Sequence, residues 1–503
     1  MPKPFSKPCL LAWLALMLVV VLPAFSFATP SAFEEGVRIG QSTKSLLKQA
    51  SERATQGKDD ETMQRGLAMA QTHLRTLQEN WPEQLERLRG IAQGSGVGLD
   101  ELGLVSMFLT KFNCAQSASA PPATKDNAVY LSWNLDLVNI AKPLFALPLL
   151  SVTSPEGGYK TLVLGIPYLL GIGLMNEKGL SLAGASITVS DSGEGLTPFE
   201  LSLLIMERCR SVKEAVNLLE NVPRFSTDDY FWGNFTNWSF SLADATGGIG
   251  TVEFTSHFIA SAFGDNGILA RANCYDYLPQ ELTTCSPENP MYGGASDAYA
   301  AFGSMAREAR MYELLRLHYG NITLQDIWSF TADTNGGKPF FGRESGSWWT
   351  IERHTHTLQE EINQPMGLPY VPLLDDLLQV STTVGFVMEP KRRTLWVSLG
   401  HPGQVPYLPV DLGRLIDPNA HDLAETKEPS QNAARLVNAW VTFLTEAFRN
   451  TRSFGGMYSA IGRELENLGL PRLTGQLLID SINLLDLYDV LNPSPNHPAE
   501  EGE

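Results

Sequence analysis

The chain has 503 residues, 43% of them hydrophobic and 18% charged, with a formal net charge of −18 at pH 7. That length and apolar content suffice for a large core, in two to three domains or one large domain with appendages, and they exclude extended disorder. The acidic balance repels phosphate backbones and anionic lipid, which sets nucleic acid aside as a partner.

Residues 1–28 read as an export signal. Lys3 and Lys7 precede an apolar run from Leu10 to Leu22, and Ser26-Phe27-Ala28 supplies the small-x-small pattern before a cut after Ala28. The run is short for a membrane span, and no later stretch reaches the roughly 18 uninterrupted apolar residues that a span needs. The expected product is exported, periplasmic or secreted, with no integral membrane segment. Loss of the two lysines lowers its net charge from −18 to −20. Cys9 precedes the apolar run, so it is not read as a lipid-attachment site.

From Ser31 to about Leu88, the spacing of Leu67, Met69, Leu74 and Leu77 amid charges predicts helix. Pro82 opens a fresh helix at its first turn, which runs through Leu85, Leu88 and Ile91 to the glycine-rich stop Gly94-Ser95-Gly96-Val97. A short helix from Asp100 to about Thr110 leads to Asn113-Cys114. From Asn127 the pattern becomes β-type: Val129–Leu137, Lys160–Ile166 and Gly171–Met175, then the turn Asn176-Glu177-Lys178-Gly179 into Leu180–Ile187. One helix is predicted over Pro198–Leu219. Trp238–Leu242 and Gly248–Phe254 flank a hairpin turn at Asp244-Ala245-Thr246-Gly247, and helix returns from Ser296 to about His318. Thr382–Met388 and Thr394–Leu399 form the last clear β-pair. Tight turns between successive strands point to antiparallel sheets with helical layers, not to a doubly wound parallel sheet. Residues 425–490 read as an amphipathic helical extension, and 492–503 as a polar tail expected to fray.

Beyond Cys9 there are four cysteines, Cys114, Cys209, Cys274 and Cys285, which allow three pairings. Export permits disulfides. Cys274 and Cys285, separated by a short loop with a proline, are the best candidate pair. Cys209 reads as a buried small apolar residue in a helical segment, which leaves Cys114 as a free thiol. His354-x-His356 lacks a third ligand of recognisable spacing, so no metal is expected. Ser45-Leu46-Leu47-Lys48 has the Ser-x-x-Lys pattern but not the Ser-Asp-Asn and Lys-Thr-Gly elements that accompany it in penicillin-binding enzymes. There is no Gly-x-Ser-x-Gly elbow and no phosphate loop, and no cofactor is implied.

Six pieces occur in order: "WPEQLERLRGIAQGSGVGLDEL" from Trp81, Cys114, Trp133-Asn134-Leu135-Asp136, "GIGLMNEKGLSLAG" from Gly171, "NWSFSLADATGGIGTVEF" from Asn237 and "TTVGFVMEPKRRTLWVSLGHP" from Thr382. Together, over roughly residues 80–402, they resemble the peptidase C45 group, the acyl-coenzyme A:6-aminopenicillanic acid acyltransferase-like proteins. That group is related more distantly to choloylglycine hydrolases and penicillin V acylases. The resemblance implies an α+β, four-layer αββα N-terminal-nucleophile hydrolase fold with two stacked antiparallel sheets, and a precursor that cuts itself before a nucleophilic cysteine. Here that cut falls between Asn113 and Cys114. Segments 29–113 and 114–503 of one precursor would then stay associated, with a catalytic domain over 114–405 and a helical extension over 406–503.

By position, the resemblance makes Cys114 the nucleophile, Asp136 the aspartate of the Asn-x-Asp element and Asn237 the oxyanion-hole asparagine. Arg307 is the arginine near the nucleophile, with Arg310 one helical turn away as the other candidate. Two departures stand out. Asn113-Cys114-Ala115 replaces the common Gly-Cys-Thr or Gly-Cys-Ser, and a fairly common Asn-His element has its counterpart at Asn273-Cys274.

The chemistry explains why such residues serve. A thiol with an ordinary pKa near 8.5 is mostly un-ionised at neutral pH. An amino-terminal cysteine carries a base of pKa near 8 beside its own sulfur, so cleavage creates the catalyst. Asp136 would orient and charge-balance the amine, and Arg307 would favour the thiolate. The expected activity is hydrolysis of a linear amide in a small acyl-amide substrate, with acyl transfer to an amine as the alternative. A chain that stays uncut and serves as an exported binding or scaffold protein is the reading from another class. Trp133, Phe145, Tyr168 and Trp238 are candidates for a greasy acyl pocket, and core packing accounts for them equally well.

Overall fold

The computed structural model describes residues 31–55, 59–107, 113–138, 150–226, 236–279, 282, 295–333, 356–357, 379–398, 402–403 and 407–416. The export signal, Phe145, Cys285, His354 and residues 417–503 lie outside the described residues; the start of the expected helical extension is instead a strand, Leu408–Asp411, followed by a short helix, Leu412–Ile416.

Five helices come first: α1 (Ala32–Ser42), α2 (Lys44–Thr55), α3 (Asp60–Asn80), α4 (Pro82–Ser95) and α5 (Leu99–Ser106). Local chemistry sets their ends. Ser31 and Glu34 form a capping box before α1, Asp59 caps α3, Pro82 is the first residue of α4, and Gly96 closes α4 in the left-handed conformation at φ 74°. The fresh helix expected at Pro82 is present, while the helical stretch expected before it from Ser31 is three helices. α1 and α4 pack backbone to backbone through glycines: a Cβ on Gly36 would lie 2.1 Å from the Arg87 carbonyl oxygen, and one on Gly90 would lie 2.2 Å from that of Phe33.

Two seven-stranded antiparallel sheets follow. The first is built from β1 (Asn113–Ser119), β2 (Tyr130–Val138), β10 (Ile268–Arg271), β11 (His356–Thr357), β12 (Gln379–Glu389), β13 (Thr394–Ser398) and β14 (Leu408–Asp411), in the order β10-β1-β2-β12-β13-β14 with β11 also on β12. The second runs in chain order: β3 (Leu150–Thr153), β4 (Thr161–Ile166), β5 (Leu170–Asn176), β6 (Ser181–Thr188), β7 (Thr236–Ala243), β8 (Ile249–Phe254) and β9 (Ile259–Phe263).

Strand alternation divides the core. Cys114 and Ala118 of β1, with Leu131, Trp133 and Leu135 of β2, join the large core between the sheets. Ala115 and Tyr130 face the other way, against Met311, Leu314 and Leu315 of α8 (Ala295–Leu317) and Ile327 and Phe330 of α9 (Leu324–Thr331). The outer face of the second sheet carries α6 (Pro198–Arg208) and α7 (Val212–Asn221). There the Phe199 and Trp238 rings meet edge to face at 5.0 Å. The result is the expected four-layer α+β fold, with α1 to α5 docked beyond it.

The continuous helix predicted over Pro198–Leu219 is two helices, because two turn side chains satisfy the groups exposed by the break. Asn176 donates to the Met206 and Cys209 carbonyls at 2.8 and 2.7 Å, and Asp244 accepts the Val212 N–H at 2.9 Å. Asp244 also takes the Thr246 and Gly248 N–H groups of the β7–β8 hairpin.

Buried polar contacts bind the N-terminal helices to the body. Arg87, 3% exposed, lies 3.2 Å from Glu35 and 3.3 Å from Glu207, and its guanidinium sits 4.1 Å above the Tyr168 ring. His73 of α3 meets Glu200 of α6 at 3.0 Å. Trp133, Tyr168 and Trp238, proposed from the sequence as lining of an acyl pocket, are at most 1% exposed and belong to the core.

Candidate active site

Cys114 is the second residue of β1 and is fully buried, with a free thiol. Its side chain points between the sheets, so the surroundings of its sulfur come from β2 and from the second sheet. The thiol is pushed up to about 12. Burial is the main cause and the Asp136 carboxylate adds to it, while hydrogen bonds from the Trp133 side chain and the Ser186 backbone, and the charge of Arg307, act the other way.

Asp136 lies at the far end of β2, where the register places it opposite Asn113, with Leu135 opposite Cys114. Its carboxylate is buried and accepts from the Thr382 hydroxyl at 2.7 Å. Thr382 is its partner on β12, beside an irregularity in register between Thr382 and Val384. Such a bulge re-aims side chains locally.

The residue that ties the cysteine to its surroundings is Asn273. Its Oδ1 accepts from the Cys114 main-chain nitrogen at 2.8 Å and from Arg307 Nη2 at 2.8 Å. Its Nδ2 donates to the Ser186 carbonyl at 2.9 Å, and its own N–H donates to the Ser304 hydroxyl at 2.6 Å. Arg307 Nη2 also reaches the Cys114 carbonyl at 3.4 Å. One amide side chain thus touches the Cys114 backbone, the Arg307 guanidinium and strand β6.

The Asn273 loop is clamped from both sides. Arg271 pairs with Glu253 of the second sheet and donates to the Cys274 carbonyl at 3.0 Å, and Glu253 accepts the N–H groups of Asp276, Tyr277 and Leu278. Cys274 is disulfide-bonded, and its expected partner Cys285 lies outside the described residues.

The structure also separates the two arginines. Arg307 is 2% exposed and faces Cys114. Arg310 is half-buried and bonds Asp333 at 2.8 and 3.0 Å and Glu313 at 2.8 Å, on another side of α8. Asn237 is buried on β7 opposite Ile187, next to Ser186. Its Nδ2 donates to the Phe225 carbonyl at 3.2 Å, and its Oδ1 accepts from the Trp238 N–H. It therefore belongs to the strand pair that flanks the thiol, without a hydrogen bond to Cys114 among those described.

Sequence reasoning gave no role to Ser186, Asn273 or Ser304, and it offered Trp133 only as acyl-pocket lining, not as a hydrogen-bond donor to the thiol. Only Asn273 carried a signal, as the counterpart of the Asn-His element; Ser186 acts through its backbone, which no residue pattern encodes. Among the described residues no group of three or more His, Cys, Asp or Glu side chains is arranged to hold a metal. No helix among them is long and apolar enough to cross a membrane.

No family model matches the chain, and no curated protein does. Among solved structures, the chain is similar to penicillin V acylase from Agrobacterium tumefaciens, at 15% identity and a TM-score of 0.33, covering 59% of this chain and 86% of that one. It is also similar to two variants of conjugated bile acid hydrolase from Clostridium perfringens. These stand at 14% and 12% identity, with TM-scores of 0.33 and 0.30, covering 59% and 61% of this chain and 93% and 87% of theirs.

Proposed function

We propose that the protein is an exported, self-processing amidohydrolase of the kind that the C45 resemblance implies, with Cys114 as its N-terminal nucleophile. The observation that carries this reading is the grip on Cys114. A free buried thiol lies second in a strand, its main-chain nitrogen is bonded to Asn273 Oδ1, its carbonyl to Arg307, and Asp136 stands at the adjacent register position.

In processing, the Cys114 sulfur attacks the Asn113 carbonyl. The carbon–nitrogen bond breaks, the nitrogen takes up a proton, and a thioester forms that water opens to an Asn113 carboxylate and a free thiol. The freed α-amine then serves as base for the thiol. In turnover the sulfur attacks a substrate amide, the amine half leaves protonated, and water hydrolyses the acyl-enzyme. Asn273 holds the α-amine that was formerly an amide nitrogen, and Asp136 balances its charge. Arg307 counters the negative charge of the thiolate. Asn237 is assigned as oxyanion donor through the amide hydrogen not given to Phe225; loss of one such donor typically costs about 2.7–4 kcal/mol of transition-state stabilisation.

Intact mass spectrometry tests the reading. Wild-type protein should appear as two chains, the second beginning at Cys114, and Cys114→Ala protein as one uncut chain. An uncut wild-type chain would refute self-processing, and a Cys114→Ala chain still split at the same bond would assign the cut to an outside protease.

A further inference from the structure

Glu253 of β8 is fully buried, and four donors converge on its carboxylate. Oε1 accepts from Arg271 Nη2 and from the Asp276 N–H, the latter at 2.8 Å. Oε2 accepts from the N–H groups of Tyr277 and Leu278 at 2.8 and 2.9 Å. Each oxygen thus serves two donors, a pattern that suits the carboxylate and leaves a carboxylic O–H pointing at other donors. Burial raises the Glu253 pKa above the ordinary carboxylate value, against the pull of Arg271 and of the Leu278 and Tyr277 N–H groups.

All four donors belong to the stretch that carries Asn273. Arg271 ends β10, residues 276–278 follow a few positions later, and Asn273 lies between them. Arg271 Nη2 also donates to the Cys274 carbonyl at 3.0 Å, and the Tyr275 hydroxyl donates to the carbonyl of Phe254, next to Glu253, at 2.6 Å. The other guanidinium nitrogen, Nη1, bonds Asp276 and Glu308 of α8, the helix that supplies Arg307. Residues 271–278 are therefore wrapped round one carboxylate of the second sheet. From that carboxylate, Arg271 and the Cys274 carbonyl lead to the neighbouring Asn273, whose Oδ1 holds the Cys114 nitrogen and Arg307 at 2.8 Å each.

We propose that Glu253 is a positioning residue for the Cys114 site: its carboxylate fixes the loop so that Asn273 Oδ1 meets the Cys114 nitrogen, and it touches no reacting atom itself. The proposal rests on the nucleophile assignment made above and extends the site to the second sheet. Glu253→Gln separates charge from shape. The amide fills the same space but sets an NH2 group against N–H donors on one side, so the loop has to shift.

A double-mutant cycle on the full-length precursor tests the proposal. Self-cleavage is timed for wild type, Glu253→Gln, Asn273→Ala and the double variant, with folding of each checked by circular dichroism. Glu253→Gln alone should slow the cut by about 10- to 100-fold, because the shifted loop weakens the bonds that Asn273 makes. In the Asn273→Ala background the same change should alter the rate by less than about threefold, since the group through which it acts is gone, whereas a purely structural role would slow the cut by the full factor again. Arg271→Lys keeps a cation beside Glu253 and loses the second donor to the Cys274 carbonyl; it takes the place of Glu253→Gln if that chain does not fold, with the same non-additivity expected. Rates that multiply in the double variant, or a folded Glu253→Gln precursor cut within about threefold of wild type, overturn the positioning role and leave the nucleophile assignment standing. A wild-type chain that stays uncut sinks the nucleophile assignment, and the positioning role with it.

Discussion

Asn273→Ala is the most informative single change, because one side chain makes three of the bonds that define the site. It removes the acceptor of the Cys114 nitrogen and of Arg307, each at 2.8 Å, and the donor to the Ser186 carbonyl at 2.9 Å. A bond to a charged donor is worth about 1.5–3 kcal/mol and a neutral one about 0.5–1.5 kcal/mol. The two bonds that fix the reacting residue therefore contribute about 2–4 kcal/mol to positioning. At 1.36 kcal/mol per tenfold in rate, self-cleavage should slow by about 30- to 1,000-fold. The assay is a chase of freshly synthesised precursor, with gel bands quantified and the new end confirmed by mass. Asn273→Asp keeps an oxygen for both donors and should process within about tenfold of wild type. Processing of a folded Asn273→Ala protein within threefold of wild type would refute the positioning argument.

Arg307→Met should slow processing at least tenfold, whereas Arg310→Ala, whose guanidinium serves Asp333 and Glu313 nearer the surface, should leave it within threefold; both are read in the same chase. Burial lowers the His73 pKa, but Glu200 and the Gly195 backbone outweigh it, so the folded value stands above the ordinary 6.5. The stabilisation is then complete below about pH 6.5 and is lost as pH rises through the folded value, so the melting temperature should fall across that range and His73→Gln should flatten the fall. Iodoacetamide should label Cys114 at pH 8 at least tenfold faster in processed chains than in the uncut precursor, whose thiol is pushed up to about 12; peptides that begin at Cys114 and peptides that run through Asn113 report the two forms in one digest.

Where the sequence carried its own local chemistry, the fold was legible. Pro82 and Gly96 marked the ends of α4, and the hairpin turns at Asn176 and Asp244 marked antiparallel pairs. The break between α6 and α7 was hidden because its cause is tertiary: the apolar period runs on through Cys209, and the groups that satisfy the break come from turns about 30 residues away in sequence. β9 and β10 were missed because they are short, four to five residues each, and lack a distinctive apolar alternation. The site divides in the same way. Cys114 and Asp136 could be proposed because the motifs that carry the resemblance contain them, although no strand was expected over Asn113–Ser119. Asn273 reaches Cys114 across 159 residues, and its importance lies in a hydrogen-bond geometry that no spacing encodes.

The same geometry bears on why the proposed cut at this bond would make a catalyst and not a disrupted strand. Asn113 occupies the β1 position opposite Asp136, and the next nitrogen, that of Cys114, is bonded to the Asn273 side chain. The proposed cleavage would free the position opposite Asp136 and turn the Cys114 nitrogen from amide to amine, but the Asn273 oxygen that holds the amide N–H could hold the amine N–H as well. The acceptor is thus in place before the group it serves exists. Under the proposed cleavage, the new cation would appear near a carboxylate that is already buried and fixed by Thr382, so the charge that lowers the cost of burying Asp136 would be made at the moment of the cut. A site arranged in this way needs no large rearrangement after processing, which is the condition for electrostatic preorganisation.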